Sequence, residues 1–137
     1  MDINKVHQLE RFVIGILVLD GWKLEWCGGG YEHYDAIGKT PKGHDCVIEM
    51  KFRKKYYETK MLEKLKYDKL MEMPDDIVKL YFVNDPKANY MFWLNDLKLD
   101  EHKELYCPDT TLWTKKRSNK EVYLLREEQA TIINLNQ

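Results

Sequence analysis

The 137-residue sequence has no long hydrophobic run. Its longest, FVIGILVL from Phe12 to Leu19, is far too short to span a bilayer. That run continues from Glu10 and Arg11 and lacks a small-residue cleavage site, so a signal peptide is not expected. Cysteine is scarce: Cys27, Cys46 and Cys107 are odd in number, widely spaced and form no CxxC pair. This excludes a disulfide framework and a zinc knuckle, and points to reduced thiols in a cytoplasmic protein. There is no internal repeat and no low-complexity linker. The formal net charge of −1 supplies no global attraction for a polyanion.

With 44% apolar and 33% charged residues, the composition is that of a globular chain and not of a disordered one. Its length suits one domain, 1–137, with a real core. Charge is distributed unevenly. Between Lys51 and Lys69 stand eight cationic side chains against Glu58, Glu63 and Asp68. Such a local basic zone on a near-neutral protein suits either a polyanion held at one site or a solvated helix face.

Periodicity and breakers predict a helix over 3–19, ended by DGW at 20–22. A strand follows over 22–27, then the GGG break at 28–30 and an extended stretch over 31–38. The turn KTPKG (39–43) leads into a strand over 44–53, making a hairpin. A charged amphipathic helix is expected over 56–72, with strands over 76–84 and 89–94. TLWT (111–114) and EVYLL (121–125) read as two strands around the basic turn KKRSNK. The order α-β-β-β-α-β plus extra C-terminal strands is that of an α/β domain with a mixed central sheet flanked by helices.

Strand alternation puts Val47, Glu49 and Lys51 on one face and Ile48, Met50 and Phe52 on the other. Glu49 and Lys51 are then about 7 Å apart along an otherwise apolar strand. They are either a plain ion pair or a site. Asp35, fourteen residues before Glu49, comes beside it if the hairpin closes, and two adjacent carboxylates repel unless a cation joins them. Glu10 falls on the apolar stripe of the first helix with Ile3, Val6 and Leu17, so it needs a lysine partner or a metal. Three carboxylates and a lysine around a hairpin end suit a hard cation such as Mg2+.

Asp35, a spacer and then Glu49-x-Lys51 on a strand, in this element order, resemble the PD-(D/E)XK nuclease superfamily. The acid on the first helix and the glycine turn in CGGGYEHYD are similar to its Holliday-junction-resolvase-like branch. The resemblance covers about residues 3–84, leaving a β addition over 85–137, and Tyr34 replaces the motif's proline. It implies a restriction-endonuclease-like core and a metal-dependent deoxyribonuclease, either endonuclease or exonuclease. Asp35 and Glu49 would be the main metal ligands, with Glu10 auxiliary, the Met50 carbonyl contributing and Lys51 catalytic. Mg2+ would be the cofactor, with Mn2+ able to substitute.

The expected substrate is branched or single-stranded DNA, and a homodimer would pair two sites. No membrane or nucleotide cofactor is expected, since GGG lacks the strand–GxGxxG–helix context. Arg53, Lys54, Lys55, Lys60, Lys64 and Tyr67 are the expected phosphate contacts, the last three by i, i+4, i+7 spacing with Met61 and Leu65 turned inward. The alternative is a catalytically inactive nuclease-fold protein that binds nucleic acid or a protein partner. His33 and His44 flank the hairpin and could approach the site, but lone histidines at strand ends more often are structural or surface residues, and the tryptophans are more often core than base-stacking platforms.

Overall fold

The first helix, α1 (Ile3–Leu19), is delimited by local chemistry at both ends. The Asp2 carboxylate accepts the Lys5 N–H at 3.0 Å, capping one of the helix's free donors. At the other end Gly21 takes φ of 100°, which lets its N–H reach the Val18 carbonyl and the Trp22 N–H reach that of Leu17. This closure satisfies two end carbonyls and needs a residue without a Cβ. Between the ends, Val13, Ile14 and Leu17 are buried, each contributing about 1.5–3 kcal/mol of apolar burial.

The computed structural model describes residues 2–108 and 117–135. After α1 come β1 (Lys23–Trp26), β2 (Ala36–Lys39), β3 (Asp45–Phe52), β4 (Thr59–Glu63), α2 (Lys64–Met71), β5 (Val78–Asn84) and β6 (Asn89–Trp93). Strands β7 (Lys103–Pro108), β8 (Arg117–Arg126) and β9 (Thr131–Ile132) complete the chain. The central sheet runs β1-β2-β3-β5-β6-β9, and a second sheet runs β4-β8-β7. Strands β3 and β5 are parallel and the other pairs antiparallel, so the central sheet is mixed. None of the helices described is long and apolar enough to cross a membrane.

Alternation along β3 and β5 feeds two cores. Ile48, Met50, Leu80 and Phe82 pack under α1 with Val13, Ile14 and Leu17. Val47, Tyr81 and Val83 face the other way, against Leu70 of α2, Leu62 of β4 and Leu125 of β8. This is the α/β architecture with a mixed central sheet flanked by helices anticipated from the element order.

Three local expectations are corrected. The segment 56–72 is not one helix: residues 59–63 form β4, paired along its length with β8, and only Lys64–Met71 is helical. Long-range pairing overrides the helical spacing, turning Lys60 and Leu62 inward and leaving Leu65 70% exposed. The stretch 31–35 is irregular, and β2 begins at Ala36. Residues 117–120 of KKRSNK belong to β8 instead of a turn, while the expected strand at 111–114 lies outside the described residues.

Candidate active site

The β2–β3 hairpin aligns the two acids. Its register pairs Lys39 with Asp45 and Ala36 with Ile48, so the next position back sets Asp35 beside Glu49. The Asp35 N–H reaches the Ile48 carbonyl at 2.8 Å, and its Oδ2 accepts the Met50 N–H at 2.8 Å. The Asp35 carboxylate is therefore clamped to the β3 backbone between Glu49 and Lys51. Because β2 stops there, Glu49 to Phe52 extend beyond it at the open end of the hairpin. Met50 puts its side chain into the core under α1, leaving its backbone as its only route to the site.

The opposite face of β3 meets α2, which brings Lys66. Its Nζ lies 3.2 Å from Glu49 Oε1. Glu49, Lys51, Arg53 and Lys66 line a cavity of about 290 Å³. An adjoining cavity of about 410 Å³ is lined by Asp35, Glu49, Lys66 and Lys69. A third cavity, about 610 Å³ between Trp22, Thr40 and Trp93, sits at the turn end of the hairpin and is lined by none of these groups.

The electrostatics of this cluster are unsettled. Burial pushes the Glu49 carboxyl up to about 7, with Lys66 only partly opposing it. Burial also raises Asp35 above the usual carboxylate range, despite the Met50 N–H and the charge of Lys66. Lys51 is pushed down to about 8 by burial and by its cationic neighbours Lys66 and Arg53. Lys66 goes the other way: burial works against its ammonium, but Glu49, Glu63 and Asp35 outweigh it. Both acids are thus driven toward neutrality in a place that forces them together, the situation an added cation relieves.

Glu10 sits on the other side of this end of the sheet, 4% exposed. The Trp26 indole N–H donates to its Oε1 at 2.9 Å, and Arg11 lies over the Trp26 ring at 4.5 Å. Burial raises its carboxyl to about 7, against the Trp26 bond and with a further push from Asp35. The lysine partner considered for it is replaced by the neutral indole. Gly28 makes this nest possible, because a Cβ there would overlap both the Glu10 carboxylate and the indole nitrogen. Among the described residues, no three His, Cys, Asp or Glu side chains converge closely enough to hold a metal. The donors that do gather are Asp35, Glu49 and the backbone at Met50. They are oxygen donors, suited to a hard cation whose remaining positions are filled by water and phosphate.

The expected basic flank divides. Arg53 lines the site cavity, and Lys54 and Lys55 are exposed beyond it. Lys60 is instead 3% exposed, with its ammonium 2.6 Å from Asp85 and 3.3 Å from Glu127, and so does not face solvent. Lys64 is paired with Asp68 at 2.6 Å. Tyr67 packs edge-on against Tyr123 at 4.9 Å in the second core, not outward. His33 and His44 are exposed, and His33 lines the adjoining cavity with Asp35 and Glu49 whereas His44 lies at the turn end of the hairpin. Lys66 was not anticipated. Its spacing four residues before the buried Leu70 is the signal that could have placed it inward.

The element order, the mixed central sheet and the β2–β3 hairpin together define an α/β protein of restriction-endonuclease-like architecture. Among solved structures it is similar to Hjc, a Holliday junction resolvase from the archaeal hyperthermophile Archaeoglobus fulgidus. The match has a TM-score of 0.62 and 15% identity, and covers 92% of this chain and 89% of that one. No protein-family model matches the sequence, and no curated protein sequence matches it significantly.

Proposed function

We propose that this protein is a divalent-metal-dependent deoxyribonuclease that hydrolyses phosphodiester bonds in DNA of defined structure. The observation that carries this reading is the clamping of Asp35 to the Met50 N–H between Glu49 and Lys51, with both acids raised by burial. Asp35, Glu49 and the Met50 carbonyl would hold Mg2+, or Mn2+ in its place, and the ion would polarise the phosphate and activate water. Lys51 orients the attacking water and counters charge that builds on the phosphoryl oxygens. Arg53, Lys54 and Lys55 hold the sugar–phosphate backbone without reading bases. Glu10 tunes the site through Asp35, whose charge it feels.

A four-way junction is the first substrate to test, since the structural neighbour is described as a Holliday junction resolvase. Two copies of the chain would set two such sites at a fixed separation, suited to paired nicks at a junction. With millimolar Mg2+, the protein should nick supercoiled plasmid and cut a four-way junction in preference to linear duplex of the same sequences. Asp35→Ala, Glu49→Ala and Lys51→Ala should each lower the rate by about 10²–10³-fold or more, by analogy with loss of one transition-state contact. Near-parental cutting by two of the three variants would reject the site.

One observation favours a second reading. The Lys66 ammonium already stands 3.2 Å from Glu49, where a metal would be expected to act. In a catalytically inactive nuclease-fold protein that binds nucleic acid or a protein partner, Lys66 would remain there. Junction binding without cleavage at any Mg2+ or Mn2+ concentration would select that alternative.

A further inference from the structure

We propose that the cavity beyond the active site is a track for an unpaired DNA strand, with Tyr57 and Tyr106 as its base-stacking platforms. This rests on the nuclease reading and specifies the substrate class of the same site. The site cavity and a second cavity of about 410 Å³ share Arg53 and Met61 in their walls, so the two lie side by side. The second cavity runs from Arg53 and Lys55 to Tyr57, in the segment before β4, and to Tyr106 on β7. Taken in order, the two cavities place Glu49 and Lys51, then Arg53 and Lys55, then two aromatic rings along one surface.

Those rings are unlike their neighbours. Tyr56 is built into the protein, with its phenol 2.6 Å from Glu127 and the Lys60 ammonium 4.4 Å from its ring centre. Tyr90 is buried and also faces Lys60. Tyr57 and Tyr106 are 57% and 67% exposed. Among the described residues, neither ring has a stacking, cation or phenol partner. Exposed aromatic faces in line with cations are the composition of a single-strand groove, where cations follow the phosphates and rings take the bases. The one acid lining this cavity, Asp85, is matched by Lys60 at 2.6 Å and does not repel a phosphate. Paired bases within a duplex are already stacked and offer these rings no face, so the chemistry selects an unpaired segment.

The test is fluorescence anisotropy in EDTA with the full chain, comparing a blunt duplex with the same duplex carrying a short unpaired tail. The parent should bind the tailed duplex about tenfold or more tightly than the blunt one. Tyr57→Ala with Tyr106→Ala should erase that difference, whereas Tyr57→Phe with Tyr106→Phe should keep it, because stacking needs the ring and not the hydroxyl. A parent that does not distinguish the two duplexes would overturn the track. So would an alanine pair that keeps the preference, or a phenylalanine pair that loses it. Because binding is read without metal, the two proposals fail separately. Plasmid nicking with no tail preference rejects the track alone, and tail preference with no nicking rejects the nuclease alone.

Discussion

Two lysine–carboxylate clusters lie on either side of Met61, and they are built to opposite ends. At the first, Lys60 is enclosed by Asp85 at 2.6 Å, Glu127 at 3.3 Å, the Tyr57 carbonyl, and the rings of Tyr56 and Tyr90. The lysine and both acids there are held in their charged forms. Lys60 is raised and Asp85 lowered, each against its burial, and Glu127 is pulled down to about 2, chiefly by the Tyr56 phenol. At the second, Glu49 rises to about 7 and Lys51 falls to about 8. Side chains of the same types are settled in one place and frustrated in the other. Enclosure by partners makes a structural post, whereas two acids sharing one lysine leave room for a ligand.

The largest effect should come from the settled cluster. Lys60→Met keeps the apolar stem and removes the ammonium, leaving Asp85 and Glu127 without their shared cation. The loss should be about 3–5 kcal/mol, as when one partner of a buried ion pair is removed. In a chain of this size that is a fall of roughly 10–20 °C in melting temperature. Calorimetry of Lys60→Met decides it: a loss under about 1 kcal/mol would mean the cluster is not structural and the contrast fails.

That cluster also marks where reading the sequence ran out. The hairpin was legible because KTPKG separates an extended stretch from a strand, and closing that hairpin brings Asp35 beside Glu49. Glu10 was legible as an acid on an apolar stripe. Its partner was not, since Trp26 reaches it only when β1 lies beside α1 and Gly28 leaves space. Lys60 was misplaced for a different reason. A lysine at an inward strand position looks like a lysine on a wet helix face until its partners are known. Asp85 lies 25 residues away, and the β8 strand that turns 59–63 into β4 lies some 60 residues away. Moving the helix start to Lys64 shifts the inward face and brings in Lys66. One long-range pairing thus changed two site assignments.

An intermediate effect is expected at Glu10, which is buried like Lys60 but answered only by a neutral donor. Its folded carboxyl titrates near 7 instead of 4.5. The folded state therefore holds the proton more tightly. The associated stability is fully present below about pH 4.5 and is lost as pH rises through 7. At pH 8 the ionised group costs on the order of 2–3 kcal/mol. Glu10→Gln, whose amide oxygen can still accept from Trp26, should raise the melting temperature at pH 8 in EDTA and change it little at pH 4. An equal shift at both pH values would place the cause outside Glu10 ionisation. A magnesium titration of plasmid nicking adds a separate readout: a higher requirement in the variant would tie Glu10 to the metal through Asp35.

The smallest effect should come from the same chemistry placed in water. Lys39 and Asp45 are cross-strand partners in the β2–β3 hairpin, 2.7 Å apart, a distance close to that of Lys60 and Asp85. Their side chains remain 51% and 66% exposed, against 3% and 1% for the buried pair. If distance set the energy, the two bridges would count alike. If desolvation sets it, the exposed pair is screened, its side-chain ordering offsets the attraction, and about 0.2–1 kcal/mol remains. Lys39→Met should therefore shift stability by no more than about 1 kcal/mol, and less at high salt, because Asp45 left alone is still hydrated. A loss approaching that of Lys60→Met would show that hairpin closure depends on this bridge. The alignment of Asp35 with Glu49 would then rest on a surface ion pair, and salt alone should weaken metal binding at the site.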